Sequence, residues 1–342
     1  MLSVCPDYAL KFKCLADRCK DSCCVGWEIG IDEETLADYK GLDGELGRRI
    51  RQNIDEREDG VIFRLGTDGR CPFLDRCGLC DIIKEHGEGG IPEICREHPR
   101  YYNVLSDRTE WGVGLSCEEA ARLILECPDI RSGETSPSGD GCENFLLFAR
   151  DEAYRVLYES TLPIGERLAA LIYYAEAVDA ALESEEYAEI YPAMPLNSGE
   201  KLNTGWGVGD FSVVLRFLLD MDFMDGKFKE RIEKAIDGGA LLPSLTEENG
   251  TLVLRLVAYF LHRYFITAAW DLITVSKVKF AVVSALVILC LCGEDADKND
   301  FIDMAKAYSK EMEYNEDNRE LFFDGCFTES VLSTANIISV LT

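Results

Sequence analysis

Twelve of the chain's 15 cysteines fall within its first 142 residues. Nine of them come in groups: Cys14, Cys19, Cys23 and Cys24, then Cys71, Cys77 and Cys80, then Cys95 and Cys117. Thiols gathered in this way are either oxidised in pairs or hold a metal. The segment Met1-Leu2-Ser3-Val4-Cys5-Pro6 has no basic head and no apolar run, so no secretory leader is expected. A reducing, cytoplasmic setting then favours metal ligation over a disulfide framework. If Cys19–Cys24 is helical, Cys19 and Cys23 share a face and Cys24 points about 100° away. Two thiolates would then serve one metal and the third a second site or a cluster edge. Cys77-Gly78-Leu79-Cys80 adds a C-x-x-C on what reads as a loop, a gap that brings two sulfurs within tetrahedral reach of zinc. Iron–sulfur clusters are likewise held by four thiolates from separated segments. Spacing alone leaves both metals open.

Other residue types carry weaker signals. The three histidines, His86, His98 and His262, are too few and scattered for a histidine-based metal site; His98 is a candidate outer partner of the cysteines or a ligand beside them. No G-x-S-x-G elbow supports a serine nucleophile. Thr204-Gly205-Trp206-Gly207-Val208-Gly209-Asp210 is the glycine-rich candidate for holding a cofactor, through Gly205, Gly207 and Gly209. No strand precedes it, so it lacks the strand–turn–helix context of a nucleotide loop. Tyr264 and Asp271 would share a face if one helix continues through both, while Tyr259 would point elsewhere. These three are the candidates for amine binding or catalysis, with core packing as the competing reading. Cys290, Cys292 and Cys326 read as small apolar core residues.

The elements that must position these groups fall into two halves. At 342 residues and 47% apolar, the chain can bury a large core. Its formal charge of −28 argues against a phosphate-backbone partner and suits a cationic one, with a solvated acidic exterior that has no partner role as the commoner reading. The longest apolar run, Phe280–Cys292, is broken by Ser284 and is shorter than the roughly 20 residues of a membrane span. Residues 1–127 read as a small cysteine-rich α+β domain. Asp32 caps a helix there, a second helix covers Glu45–Ile54, Val61–Leu65 is a strand, and Tyr101–Leu105 with Glu110–Leu115 make a hairpin. Residues 128–142 read as a linker. Residues 143–342 read as all-helical, with helices expected over Asn144–Glu159, Gly165–Glu183, Phe211–Phe223, Gly226–Ile236, Leu252–Thr267, Ile273–Cys292 and Phe301–Glu311. The expected fold class is therefore mainly α, a metal-binding α+β domain followed by a helical one.

The cysteine pattern resembles that of the flagellin lysine-N-methylase family. The likeness rests on Cys19-x-x-x-Cys23-Cys24, Cys71-Pro72-Phe73-Leu74, Leu79-Cys80-x-Ile82, Pro92-x-x-Cys95-Arg96-x-x-Pro99 and Ser116-Cys117-x-Glu119-Ala120-Ala121. It continues more faintly through Leu254–Asp271, Lys277–Leu291 and Tyr308–Glu313. One departure is Glu118, where the family pattern has Pro after the last cysteine. The resemblance implies eight metal-binding positions: Cys14, Cys19, Cys23, Cys24, Cys71, Cys80, Cys95 and Cys117. It further implies an iron–sulfur cluster of the 4Fe–4S kind, with zinc as the alternative, S-adenosylmethionine as methyl donor, and lysines of flagellin as acceptors. A wider group of small proteins associated with zinc or iron chelation shares the first part of the pattern. A non-catalytic metal or redox carrier is therefore the alternative function; the long helical half argues against it.

Overall fold

The computed structural model describes residues 2–58, 60–132, 141–185, 187 and 211–341. The fold is mainly α, and among the described residues its few short strands lie in the first 113. It divides into two compact units, one formed by residues 12–101 with 117–119, the other by residues up to 11, 102–116 and from 120 onward. The division does not follow the expected boundary at residue 127. The reason is strand pairing: β1 (Leu2–Val4) runs parallel to β5 (Arg108–Val113), with Leu2 opposite Arg108. That register ties the first residues of the chain to the helical unit.

In the cysteine-rich unit, Asp32 caps the helix Glu33–Gly41 by accepting from the Thr35 amide at 2.9 Å. The second helix is Gly44–Gln52, and Ile54 belongs instead to β2 (Ile54–Arg57), paired antiparallel with β3 (Gly60–Phe63). Ile54 stands opposite Phe63, so both lean on the apolar interior formed by Ile29, Tyr39, Ile50, Phe73 and Ile82. The segment Cys19–Cys24 is not helical. A single 3-10 turn, Ala16–Arg18, precedes it, and Cys19 is extended at ψ 128. The expectation that Cys19 and Cys23 share a helical face is thereby corrected.

In the larger unit, β4 (Arg100–Val104) lies beside β5 as the expected hairpin, and β5 is the middle strand of the sheet. The other regular elements among the described residues of this unit are helices. The central helix, Val275–Cys292, is buried from its first residue through Leu291. It packs against Glu247–Tyr264, Ile164–Ser184, Lys298–Met312 and Glu316–Thr328. Enclosed side chains such as Phe280, Leu286 and Ile288 contribute about 1.5–3 kcal/mol each. Residues 247–271 and 275–292 are long and apolar enough to cross a membrane, and the most apolar window of the second is 94% buried inside the protein. Among the helices outside the expected set are Glu118–Glu126 and Glu316–Thr328. Each opens with two acids, a favourable start against the helix dipole.

Candidate functional site

The thiols converge through backbone pairing. Cys24 accepts at its carbonyl from the Cys71 amide at 2.8 Å, and Gly26 donates to Gly69 at 2.9 Å. These two bonds lay the segments side by side, with Val25 bridged to Arg70. Downstream, the Asp81 amide donates to the Phe73 carbonyl at 2.8 Å and Leu74 bridges Cys80. The C-x-x-C turn forms because the Asp75 carboxylate accepts from the Cys77 and Leu79 amides, at 2.7 and 2.9 Å, while Gly78 takes φ +79. Cys95 sits on the short helix Glu93–Glu97, and the Asp32 carboxylate that caps one helix also accepts from the Glu93 amide at 2.8 Å. As a result Cys24, Cys71, Cys80 and Cys95 all pack against one apolar cluster.

Burial, with a smaller push from the neighbouring sulfurs, raises the Cys71 and Cys95 thiols to about 12. Burial raises Cys80 as well. Cys24 is the exception: the Cys23 thiol donates to it, and with Ser22 and Arg70 holds it down at about 7. Cys24 is thus the readiest of the four to lose its proton, while Cys71, Cys80 and Cys95 ionise when a cation supplies the compensating charge. Cys14 and Cys23 are exposed, Cys19 and Cys117 half-buried. Cys14 lies near enough to raise both Cys19 and Cys23. Glu118, the departure from the family pattern, accepts from the Lys20 amide at 2.8 Å and stands 3.7 Å from the Cys19 sulfur. It therefore ties the first cysteine segment to residues 117–119 within the same unit. His98 meets Trp27 edge to face at 6.1 Å. Among the described residues, no three His, Cys, Asp or Glu side chains are placed together so as to hold a metal ion. In donor type the site fits a thiophilic metal: four sulfurs from separate segments share one apolar wall.

A second centre lies in the larger unit, on Glu313. This fully enclosed residue follows the helix Lys298–Met312. The Tyr259 and Tyr264 hydroxyls each donate to its Oε1 at 3.0 Å, and Arg263 Nη1 pairs with it at 3.0 Å. Arg263 also donates to the Tyr259 oxygen at 2.9 Å, as does the Leu115 amide at 3.3 Å. Its guanidinium lies over the rings of Tyr264 and Tyr314, 5.2 Å from each. Burial, followed by the Glu313 charge among its neighbours, drives the Tyr264 hydroxyl well above its ordinary range.

Two of the three expected amine-site residues therefore meet, though not in the expected pairing. The long helix ends at Tyr264, a 3-10 turn covers Phe265–Thr267, and a short helix, Ala268–Asp271, follows. This break removes the shared face of Tyr264 and Asp271. Asp271 instead pairs with Lys277, and Tyr259 joins Tyr264. Glu313 itself lies within the stretch resembling the family, yet its ionic partner, Arg263, stands 50 positions earlier, where local spacing does not point. Gly205, Gly207 and Gly209 lie outside the described residues. Surface clefts of about 450 and 350 Å³ open beside Glu247, Arg255 and Lys298, and beside Asp32, Gly60 and Glu93.

No protein-family model matches the chain, and no solved structure matches it significantly. Among curated proteins, it is 30% identical over 160 residues to the flagellar biosynthetic protein FliU of Salmonella muenchen, covering 45% of this chain and 95% of that one. It is also 28% identical over 130 residues to the lysine-N-methylases of Salmonella typhimurium and Salmonella choleraesuis, covering 36% of this chain. The match spans about a third, 32%, of the length of those two relatives.

Proposed function

The chain belongs to the flagellin lysine-N-methylase family, and on that premise we propose that it transfers methyl groups from S-adenosylmethionine to lysine side chains of flagellin. The observation that carries this reading is the likeness to FliU through nearly its whole length, joined to likeness to two named lysine-N-methylases. A lysine ammonium has no lone pair, so its proton must leave before the nitrogen can attack. The nitrogen pair then forms a bond to the methyl carbon while the carbon–sulfur bond breaks, its electrons returning to sulfur to leave a neutral thioether.

This chain's residues supply the proton chemistry. Glu313 is a carboxylate in an apolar interior, joined through Oε1 to two tyrosine hydroxyls and an arginine. In this reading the acceptor proton passes by way of Tyr264 to Glu313. Arg263 holds the carboxylate in place and the surrounding rings keep water from the neutral amine. The cysteine-rich unit supplies the metal. Cys24, Cys71, Cys80 and Cys95 would hold an iron–sulfur cluster, or zinc, with Cys14, Cys19, Cys23 and Cys117 on its flank. The bound metal would neutralise the thiolates and brace the fold. The setting in this reading is the reducing cytoplasm.

The deciding experiment incubates anaerobically purified protein with S-adenosylmethionine and flagellin from the same source. Mass spectrometry should find flagellin lysines heavier by one or more methyl groups, and the protein should be brown. Unmodified flagellin together with no calorimetric binding of S-adenosylmethionine would favour the metal-carrier reading. A colourless protein with stoichiometric zinc would overturn the iron assignment.

A further inference from the structure

We propose that the acceptor lysine is received at Asp271, against the face of Phe323, in the position that this chain's own Lys277 now holds. The inference rests on the methyltransferase reading and names where its protein substrate enters.

Lys277 is out of place by local rules. It is 2% exposed and stands in the first turn of the central helix, the positive end of the helix dipole. A desolvated cation there is opposed by both the dipole and the loss of water. Departures of this kind from local preference concentrate at functional sites. The surroundings make an ammonium site. Asp271 Oδ2 takes the ammonium in close contact, and the Phe323 ring lies 5.0 Å beneath it. Asp179, which accepts from the Val275 amide at 3.1 Å, adds a second carboxylate within electrostatic reach. Phe323 in turn meets the Tyr264 ring at 6.4 Å, and Tyr264 leads to Glu313.

The site also has a way in. The Asp271 side chain is 46% exposed although the ammonium it holds is enclosed. It is carried on the turn Trp270-Asp271-Leu272, whose flanking residues are both exposed, Trp270 at 61%. Leu272 adopts φ 60, a left-handed conformation that is strained for a branched side chain. A strained turn presenting an indole, a carboxylate and a leucine to solvent suits a lysine flanked by apolar residues on a surface loop of a partner protein. One carboxylate oxygen above a single ring matches a compact ammonium better than the fork of an arginine. The net charge of −28 assists the approach of a cationic loop.

The test uses the full chain, a lysine-bearing flagellin peptide and the same peptide with norleucine in place of lysine. Calorimetry should show Lys277→Met binding the lysine peptide about tenfold tighter than the unsubstituted protein, and Asp271→Asn about tenfold weaker, with little binding of the norleucine peptide. Equal affinity in both variants and the parent overturns the proposal, as does equal binding of the two peptides. Should Lys277→Met fail to fold, the half-exposed Asp271→Asn still decides. The underlying reading fails separately: if the peptides bind in the expected order but no methyl group is transferred, the transferase assignment is wrong and the lysine site stands. If flagellin is methylated with the same KM in all three proteins, the site is wrong and the transferase assignment stands.

Discussion

Tyr259 and Tyr264, five residues apart on one helix, donate their hydroxyls to the same oxygen of Glu313, each at 3.0 Å. Positions five apart on a helix point about 140° away from each other, so the meeting depends on Glu313 entering from a different helix. Arg263 completes the set and neutralises the carboxylate.

That network should govern both stability and proton removal. Glu313→Gln leaves Arg263 without its counter-charge in a closed interior, a loss of about 3–5 kcal/mol. Tyr264→Phe removes one neutral donor and should cost about 1–2 kcal/mol. Denaturant midpoints rank the two. In the methylation assay, Tyr264→Phe should lower kcat by about a hundredfold while the protein remains folded. A folded Tyr264→Phe protein with unchanged kcat removes Tyr264 from the proton path.

Metal content should follow the apolar thiol cluster. Cys71→Ser, Cys80→Ser or Cys95→Ser should strip the metal, whereas Cys290→Ser and Cys326→Ser, buried in the helical unit, should leave it. Removing the metal with a chelator should loosen the cysteine-rich unit, because the metal takes the place of the thiol protons and compensates thiolates that burial otherwise disfavours. Metal analysis with proteolysis of that unit reads both effects. A Cys326→Ser protein that loses as much metal as Cys95→Ser contradicts the assignment.

Asp32 joins the caps of two helices, taking the Thr35 and Glu93 amides. Asp32→Ala should cost about 1–2 kcal/mol and release the segment bearing Cys95. Partial burial works against its charge, yet the Glu93 and Thr35 hydrogen bonds hold it down at about 2. Its stabilising effect is therefore complete above the ordinary carboxylate range and lost as pH falls toward 2. Thermal melts of the variant should show a weaker dependence on pH below about 4.

His262 carries a second acid sensitivity. Complete burial, with the Arg150 guanidinium beside it, holds the imidazole down at about 3. The unfolded chain takes up this proton near pH 6.5, so stability falls steadily from about pH 6.5 toward 3, by several kcal/mol at most. Urea midpoints between pH 7 and 4 measure the slope. His262→Gln should flatten it; an unchanged slope assigns the acid loss to other groups.

Local rules made much of the chain legible. Asp32 followed by two acids marked a helix start, and apolar spacing of three and four marked seven helices of the second half. Cysteine grouping pointed to a thiol-rich site, and the pattern of those cysteines to a family. What remained hidden depends on partners that sequence spacing does not name. β1 finds β5 more than a hundred residues away, and so draws the N-terminal strand out of the cysteine-rich unit. Cys24 and Cys71 are neighbours because two backbone bonds align their segments. Glu313 draws Tyr259 from 54 positions earlier, and Asp271 turns to Lys277 because the helix breaks after Tyr264. Periodicity reports which face a residue presents; which side chain waits opposite is decided only when the helices pack, because a buried charge keeps its place only where other elements complete its hydrogen bonds.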